Sequence, residues 1–374
     1  MPRQTKKKEQ EDGKKQYSVL KVREEIVGKL KKLGERVLSY LERGEFPEIE
    51  LPSRTTTNIE YNSELRQYVL GSKTVTRTTR NIKHLRPFTQ LMWMAMFAKQ
   101  LVETRKTSTL RDAFYNAIGF GIDFEDQQES DETVTELETL VGTVREDFNI
   151  YPEERSSVFG RLVIEYTVPG YEGRRLDLTT IPDGAMIGPA MTTAEFVRCD
   201  AEQVFVVEKG AVYQRFLEEN VSDRHKAIII HTAGQAPRAT RRFVRRLNQE
   251  LNLPVYIFTD GDPWGMHIAS VLIYGSALAA HVRELNVPDA IWAGLWASDI
   301  SKYKLPAMRF NDEDARRIVE LERDPRYVSD PWKREIAVFK KIQRKAELEA
   351  LSRYGLEYIV TDYLPEKLAE VTKR

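Results

Sequence analysis

The second half of the chain alternates short apolar runs with amphipathic stretches. Runs of apolar, β-favouring residues at 204–207, 227–230, 255–259 and 290–294 predict strands, and the residues between them have the apolar spacing typical of helices. Strand and helix alternating at this rate predict a parallel sheet with right-handed crossovers. A charged, largely helical segment follows to the end of the sequence.

The first half has a different pattern, in which helices dominate. Apolar positions recur at helical spacing between residues 19 and 42, which predicts an amphipathic helix whose apolar face packs on a partner. Two further helical patterns lie between residues 88 and 119, a third begins near residue 134, and residues 158–166 alternate like a strand. Helices followed by a strand pair are typical of a winged-helix module, although a short helical bundle would show the same pattern.

These patterns predict an α/β and α+β multidomain fold, in which a winged-helix (CAP-like) domain precedes a domain with a mostly parallel sheet. A length of 374 residues is enough for two or three domains. We expect an N-terminal tail and amphipathic helix at 1–65, the winged-helix domain at 66–150, a strand-rich connector at 151–194, and the sheet domain with a C-terminal helical extension at 195–374.

Composition limits the classes of function. With 57 basic and 57 acidic residues the formal net charge is zero, so a DNA-binding surface would have to arise by segregation of the charges. Cys199 is the only cysteine, which rules out an intrachain disulfide and a multi-cysteine metal site. No apolar run reaches the roughly 18 residues of a membrane span, and the lysine-rich N-terminus lacks the apolar stretch of a signal peptide. We therefore expect a cytoplasmic protein.

Carboxylates follow two of the predicted parallel strands. Glu208 comes directly after the strand at 204–207, and Asp260 and Asp262 follow the strand at 255–259. Because the carboxyl ends of parallel strands meet at one edge of a sheet, the three acids can converge there. Such acids repel each other unless a cation lies between them, and Mg²⁺ favours a few carboxylates together with water and phosphate oxygens. The alternative is that these residues cap the following helices or form solvated turns.

Several sequence motifs resemble those of a known family. The segments Val-Glu-Lys-Gly at 207–210 and Thr-Asp-Gly-Asp-Pro-Trp-Gly at 259–265 resemble a Toprim domain, the Mg²⁺-binding fold shared by topoisomerases, primases and some nucleases. The segment Ser-Thr-Leu-Arg-Asp-Ala-Phe-Tyr at 108–115 resembles the catalytic tyrosine motif of topoisomerase VI A subunits and their meiotic double-strand-break relatives. The resemblance covers about residues 65–370 and includes Gly-Gln-Ala-Pro at 234–237 and Tyr-Leu-Pro-Glu-Lys at 363–367.

The resemblance implies a nucleophile in the winged-helix domain and a metal site in the Toprim domain. Members of the family often carry two adjacent tyrosines, and here Phe114 precedes Tyr115, so only Tyr115 can act as the nucleophile. Glu208 and Asp260 would bind Mg²⁺ directly, and Asp262 would bind it directly or through water.

A tyrosine suits a reversible break in DNA. Attack of its oxygen on phosphorus keeps the phosphodiester energy in a phosphotyrosyl link, so the break can be resealed without another cofactor. A free phenol has a pKa of about 10, so the nucleophile needs a neighbouring cation or base. Arg111, four residues before Tyr115 on one helical face, can stabilise the phenolate or the transition state. The alternatives are an ordinary ion pair between Arg111 and Asp112 and a structural role for Tyr115.

The resemblance also implies partners. Tyr115 of one protomer would face the acids of the other in a homodimer on double-stranded DNA, leaving a double-strand break with a tyrosine on each 5′ end. Strand passage needs ATP, and the sequence contains no Gly-x-x-x-x-Gly-Lys-Ser/Thr loop. An ATP-binding B subunit in an A₂B₂ heterotetramer is therefore expected, with the helix at 19–42 as its candidate docking surface. Such an enzyme would be associated with the nucleoid and would relax or decatenate duplex DNA.

Three other interpretations stay open from the sequence. The protein could form DNA breaks without resealing them, it could be a Toprim nuclease or primase-like enzyme in which Tyr115 is structural, or it could bind DNA without catalysis. Five arginines between residues 238 and 246 could hold DNA phosphates or form a solvated helix face.

Overall fold

The structure is a computed structural model that describes residues 23–282 and 285–373. The helix predicted at 19–42 is present from residue 23 to residue 42, and residues 19–22 lie outside the described part. Contacts between residues divide the chain into two compact units. The first contains the described residues up to 58 and residues 70–153, and the second contains residues 59–69 and the described residues from 154 onwards.

The helices of the described residues are α1 (23–42), α2 (Ile82–Thr104), α3 (Leu110–Gly119), α4 (Gln127–Val141), α5 (Pro189–Thr193), α6 (Gly210–Glu218), α7 (Val221–Arg224), α8 (Arg238–Leu251), α9 (Pro263–Tyr274), α10 (Ala297–Lys302), α11 (Asp312–Arg323), α12 (Trp332–Ile342) and α13 (Leu364–Thr372). A π-helical turn, Ile359–Tyr363, leads directly into α13.

The strands of the described residues are β1 (Glu48–Pro52), β2 (Ile59–Asn62), β3 (Gln67–Leu70), β4 (Thr74–Thr78), β5 (Ser108–Thr109), β6 (Ile150–Tyr151), β7 (Ser157–Phe159), β8 (Leu162–Glu165), β9 (Arg175–Asp177), β10 (Ala185–Met186), β11 (Glu195–Cys199), β12 (Gln203–Val207), β13 (Ala227–His231), β14 (Val255–Phe258), β15 (Ile291–Gly294), β16 (Met308–Arg309) and β17 (Arg344–Lys345).

The first unit is mainly helical. Helix α2 packs against α3 and α4, and the buried side chains of Leu91, Met94 and Leu137 belong to the core between these elements. Strands β1 and β4 pair antiparallel beside them. The short strand β5 pairs in parallel with β6, which lies near the C-terminal end of the unit. This pairing anchors the residues that lead into α3. This pairing fixes where α3 begins.

The second unit contains a six-stranded sheet with the order β10-β7-β13-β12-β14-β15. The four strands β13, β12, β14 and β15 are parallel, whereas β7 and β10 are antiparallel additions at one edge. The side chains of β12, β13 and β14 are almost all apolar and buried, as expected for strands that are covered by helices on both faces. The prediction of a mostly parallel sheet in this half of the chain is confirmed.

The structure draws the domain boundaries differently from the sequence. The expected connector at 151–194 belongs to the second unit from residue 154 onwards, because Val158, Leu162 and Leu178 are fully buried in that unit's core. The strand predicted at 158–166 is two strands, β7 and β8, which join two different sheets. It is therefore not the strand pair of a winged-helix module.

Gly160 explains the break between β7 and β8. Its backbone has a φ of +143°, and an added Cβ would lie 2.9 Å from the carbonyl oxygen of Ala227. A side chain therefore cannot be accommodated where β7 passes β13, and the glycine allows the chain to leave the large sheet at this point.

A short hairpin from the first half of the sequence also belongs to the second unit. Strands β2 and β3 carry Tyr61 and Tyr68, whose rings meet edge to face at 5.6 Å. The Tyr68 hydroxyl donates to Asp324 Oδ1 at 3.1 Å, and the guanidinium of Arg326 lies 5.2 Å from the Tyr68 ring centre. The hairpin therefore contacts the second unit through Tyr68, although the sequence analysis placed this segment at the boundary of the N-terminal region.

No helix within residues 23–282 and 285–373 combines the length and the apolar content that crossing a membrane requires.

Candidate active site

The two parallel strands β12 and β14 deliver acids to the same edge of the sheet. Val207 is in register with Phe258 at their carboxyl ends, so Glu208 and Asp260 follow at neighbouring positions. The backbone N–H of Asp260 donates a hydrogen bond to Glu208 Oε2 at 3.1 Å. The structure therefore brings together two of the acids that the sequence singled out.

Asp260 is a buried carboxylate with both oxygens engaged. Only 6 % of the residue is exposed. Its Oδ1 accepts a hydrogen bond from the backbone N–H of Leu348 at 2.9 Å, and its Oδ2 lies 2.9 Å from the ammonium of Lys209. A buried carboxylate needs such partners, because an unpaired charge in this position would be strongly destabilising.

Asp262 is the N-cap of α9. Its Oδ1 accepts a hydrogen bond from the backbone N–H of Gly265 at 2.6 Å, so the capping alternative considered for this turn is present in the structure. Gly265 is required here, since an added Cβ would lie 2.1 Å from the carbonyl oxygen of Asp260. The cap occupies one oxygen of Asp262 and leaves the second oxygen for other ligands.

Burial disfavours the ionised form of all three acids at this edge. Burial and the nearby Asp260 carboxylate raise the pKa of Glu208 to about 7. Burial also raises the pKa of Asp260 and of Asp262, against the opposing effect of the hydrogen bonds that these carboxylates accept. Carboxylates that resist ionisation together are the donor set that a divalent cation stabilises, so these residues fit Mg²⁺.

The acids nevertheless do not form a finished metal cage. Within the described ranges 23–282 and 285–373, no three His, Cys, Asp or Glu side chains are arranged to hold one metal ion. The lysine on Asp260 and the helix cap on Asp262 each already use one carboxylate oxygen. A cation at this edge would compete with those contacts.

Sequence analysis missed the segment that covers this edge. Gly261 and Ala346 form an isolated antiparallel bridge, with Gly261 N–H donating to the Ala346 carbonyl at 2.8 Å. The bridge places Glu347 and Glu349 near Lys209, with Glu347 Oε1 4.0 Å from the Lys209 ammonium. No motif in the sequence pointed to these residues, because they reach the site through backbone pairing with a distant segment.

Tyr115 lies on α3 of the first unit with 57 % of the residue exposed. Helix α3 starts at the N-cap Thr109, whose side chain accepts from the backbone N–H of Asp112 at 2.9 Å. The neighbouring Phe114 is half-buried and lies 6.4 Å from the ring of Phe124. The helix therefore partly buries Phe114 and leaves Tyr115 exposed, and a nucleophile for an external substrate would need such exposure.

Arg111 lies beside the ring of Tyr115, with its guanidinium carbon 5.9 Å from the ring centre. The carboxylate of Asp112, which was the alternative partner of Arg111, accepts a hydrogen bond from the Ser108 hydroxyl at 2.9 Å. Arg111 and Tyr115 thus share one exposed face of α3, as the spacing of four residues predicts. Both belong to the first unit, whereas the three acids belong to the second.

Three of the five arginines of helix α8 have structural roles. Arg241 Nε donates to the Leu285 carbonyl at 2.9 Å, and Arg245 donates to the Asn286 carbonyl at 2.7 Å. Arg246 donates to the carbonyl of Ala194 at 2.8 Å. These three guanidinium groups bind backbone within the second unit, so they are not a free surface for DNA phosphates.

Raising the pH in the absence of divalent cations should destabilise the fold through Glu208. The carboxyl group has a pKa of about 7 in the folded chain and an ordinary value of 4.5. Its contribution to stability is therefore fully present below pH 4.5 and is lost as the pH rises through 7. We expect a loss of about 2 kcal/mol after allowing for partial exposure of the group.

Urea unfolding in EDTA between pH 5 and pH 8 measures this loss when the protein is compared with Glu208→Gln. The amide cannot ionise, so the difference in unfolding free energy between the two proteins should change across this range. If the unfolding free energies of the two proteins changed equally with pH, the pKa of Glu208 would not be raised in the folded chain.

Comparisons with known proteins agree with this division of the chain. A family model that describes the Toprim domain of the topoisomerase 6 A subunit and Spo11 matches residues 203–368, and one described as "Type IIB DNA topoisomerase" matches residues 86–150. The first match contains the three acids, and the second contains Arg111 and Tyr115.

Curated relatives match almost the whole chain, and the following three are named as the A subunit of type 2 DNA topoisomerase 6. The protein of Methanothermobacter thermautotrophicus is 45 % identical over 353 residues, which are 93 % of this chain and 98 % of the relative. That of Archaeoglobus fulgidus is 38 % identical over 90 % of this chain and 95 % of its own length. That of Halobacterium salinarum is 35 % identical over 91 % of this chain and 94 % of its own length.

Proposed function

The chain belongs to the family of topoisomerase VI A subunits, and from this premise we propose that it is the DNA-cleaving subunit of a type IIB topoisomerase. It cleaves both strands of duplex DNA, holds each 5′ end on a tyrosine, and reseals the break after another duplex has passed. The exposed Tyr115 on α3, which lies within the segment that the type IIB topoisomerase model matches, is the observation that carries this proposal.

Tyr115 is the proposed nucleophile. Its oxygen attacks the scissile phosphorus, the new Tyr115 O–P bond forms as the P–O3′ bond breaks, and the 3′ oxygen leaves and takes up a proton. The phenolic proton passes to solvent, and the positive charge of Arg111 stabilises the negative charge that develops on the reacting oxygens in the transition state. Reversal of the same step, with the 3′ hydroxyl as nucleophile, reseals the strand.

Mg²⁺ is the proposed cofactor. Glu208 and Asp260 would hold it directly, and Asp262 would hold it through its second oxygen or through water. Bound there, the ion would supply a positive charge that favours binding of the DNA phosphate and stabilises negative charge on it. The raised pKa values of Glu208 and Asp260 support this assignment, because burial disfavours the ionised form of both acids and a divalent cation would favour it.

The proposed working assembly contains two copies of this chain and two ATP-binding B subunits. The nucleophile and the acids lie in different units, and a homodimer allows Tyr115 of one protomer to serve the acids of the other. Helix α1 is the proposed docking surface for the B subunit, because Leu38 and Leu41 are more than half exposed on it. Helices α2–α4 are proposed to form the winged-helix module of the family. The assembly is proposed to act on the nucleoid.

Trapping of the covalent intermediate tests the proposal. The full chain is incubated with the B subunit, Mg²⁺, nucleotide and supercoiled duplex DNA, and the reaction is stopped with detergent. We expect linear DNA with protein on both 5′ ends and free 3′ hydroxyls, together with relaxed product in reactions that are not stopped.

The other functions give different products in the same assay. Free 5′ phosphates identify a Toprim nuclease, and covalent ends without relaxation identify a break-forming enzyme that does not reseal. Intact DNA that is nevertheless bound identifies a binding module. Each of these three results overturns the topoisomerase proposal.

A further inference from the structure

Lys209 stands where local helix chemistry disfavours a lysine. It is the N-cap residue of α6, and its side chain makes no capping hydrogen bond. N-cap positions favour side chains that accept hydrogen bonds, and the positive end of the helix dipole repels a cation. Helix α6 itself therefore does not explain a positive charge at this position.

The carboxylate of Asp260 explains the positive charge of Lys209. The Lys209 ammonium lies 2.9 Å from Asp260 Oδ2, where the lysine side chain is 30 % exposed and the aspartate side chain 8 %. The other oxygen, Oδ1, is already bonded to the backbone N–H of Leu348. The ammonium is thus the charged partner that compensates the buried carboxylate on Oδ2.

Lys209 also has a second partner within reach. Its ammonium lies 4.0 Å from Glu347 Oε1, and the Glu347 side chain is 52 % exposed. A small rotation of the flexible lysine side chain would move the charge from the buried carboxylate to the more exposed one. The movement does not require the backbone to change, because both carboxylates flank the same ammonium.

We infer that Lys209 is an internal counterion, which occupies the cation position on Asp260 Oδ2 until a divalent cation displaces it towards Glu347. The inference rests on the metal site of the proposed function. Lys209 acts through Asp260, so it is a positioning residue. It keeps the acids in place when no metal is bound and lowers the affinity of the site for the metal.

Removal of the lysine charge should therefore tighten metal binding. Lys209→Met keeps the length of the side chain but removes both the competing ammonium and its repulsion of the cation. We expect the dissociation constant for Mn²⁺ alone, measured on the full chain without DNA from the electron paramagnetic resonance signal of free Mn²⁺, to fall about tenfold. Lys209→Arg keeps the charge and should change the constant by less than about threefold.

Two variants make the measurement specific. Lys226→Met removes an exposed lysine that pairs with Glu202 at 2.6 Å, just before β13 and away from the acid edge, and should leave Mn²⁺ binding unchanged. Asp260→Asn should abolish the tight site. A thermal melt in EDTA adds a second measurement. Lys209→Met leaves the Asp260 carboxylate without its cation, so the variant should melt at a lower temperature, and Mn²⁺ should raise its melting temperature more than that of the unmodified protein.

The outcomes separate this inference from the proposed function. If the unmodified chain binds Mn²⁺ through Asp260 but Lys209→Met binds it equally or more weakly, the lysine is only a structural partner and the inference is wrong. If Asp260→Asn binds Mn²⁺ as well as the unmodified chain does, the proposed metal site is wrong and the inference falls with it. Should Lys209→Met not fold in EDTA, Lys209→Gln, which keeps a hydrogen-bond donor without charge, is measured in its place.

Discussion

Tyr115→Phe is expected to leave no covalent protein–DNA adduct and to reduce DNA relaxation at least about a thousandfold, while the variant still binds DNA. The substitution removes only the phenolic oxygen, and that oxygen forms the bond to phosphorus. Because Tyr115 is 57 % exposed on α3, loss of its hydroxyl leaves no buried polar group unpaired. The expected change in stability is therefore below about 0.5 kcal/mol.

Tyr171 provides a matched control. It is also exposed, at 53 %, and it also has an arginine against its ring, with Arg174 at 4.9 Å. Tyr171→Phe should form the adduct at the rate of the unmodified protein. A relaxation assay and a detergent-trapped cleavage assay on both variants, together with a DNA-binding assay, separate loss of the nucleophile from loss of binding.

An adduct in Tyr115→Phe would contradict the assignment of the nucleophile. Mapping of the modified peptide would then identify the tyrosine that carries the DNA. The adjacent residue cannot take over, since Phe114 has no hydroxyl.

Much of the second unit could be predicted because its strands are continuous apolar runs. Strands β12, β13 and β14 lie within about one residue of their predicted positions, since β-branched and aromatic residues bounded by polar turns leave little choice of structure. The meeting of Glu208 and Asp260 at one edge followed from parallel topology alone. Once the parallel strands are recognised in the sequence, the residues that directly follow neighbouring strands can be predicted to lie close together.

The parts that could not be predicted depend on contacts between distant residues. Leu348 reaches Asp260 across 88 positions of sequence, and the β2–β3 hairpin joins the second unit through Tyr61 and Tyr68. Neither segment carries a distinctive periodicity. Three of the five arginines of α8 were ambiguous for the same reason, because their partners are backbone carbonyls that only the folded chain provides.

Lys367→Met is expected to destabilise the second unit by about 3–5 kcal/mol. The Lys367 ammonium is completely buried and lies 3.1 Å from Asp299 Oδ1. Its Nζ is also 3.4 Å from the centre of the Trp296 ring. Removal of the lysine leaves the Asp299 carboxylate buried without its cation, and such a charge costs more than the lost ion pair itself is worth.

Asp299 also has hydrogen-bond partners other than Lys367. Its Oδ2 accepts hydrogen bonds from the Tyr363 hydroxyl and from the backbone N–H of Trp296, both at 2.9 Å. The carboxylate therefore joins α10, which follows the last parallel strand, to the π-helical turn and to α13. Loss of charge compensation weakens the attachment of the C-terminal helix to the sheet.

Lys302 is the control that separates burial from ion pairing. It joins the same two helices through a 2.7 Å pair with Glu366, but both side chains are more than 40 % exposed. Lys302→Met should cost less than about 1 kcal/mol, because water screens an exposed pair. Urea unfolding followed by tryptophan fluorescence compares the two variants, and Trp292, Trp296 and Trp332 report on this unit. Equal losses for the two substitutions would contradict the expectation that burial makes loss of the Lys367–Asp299 pair more costly.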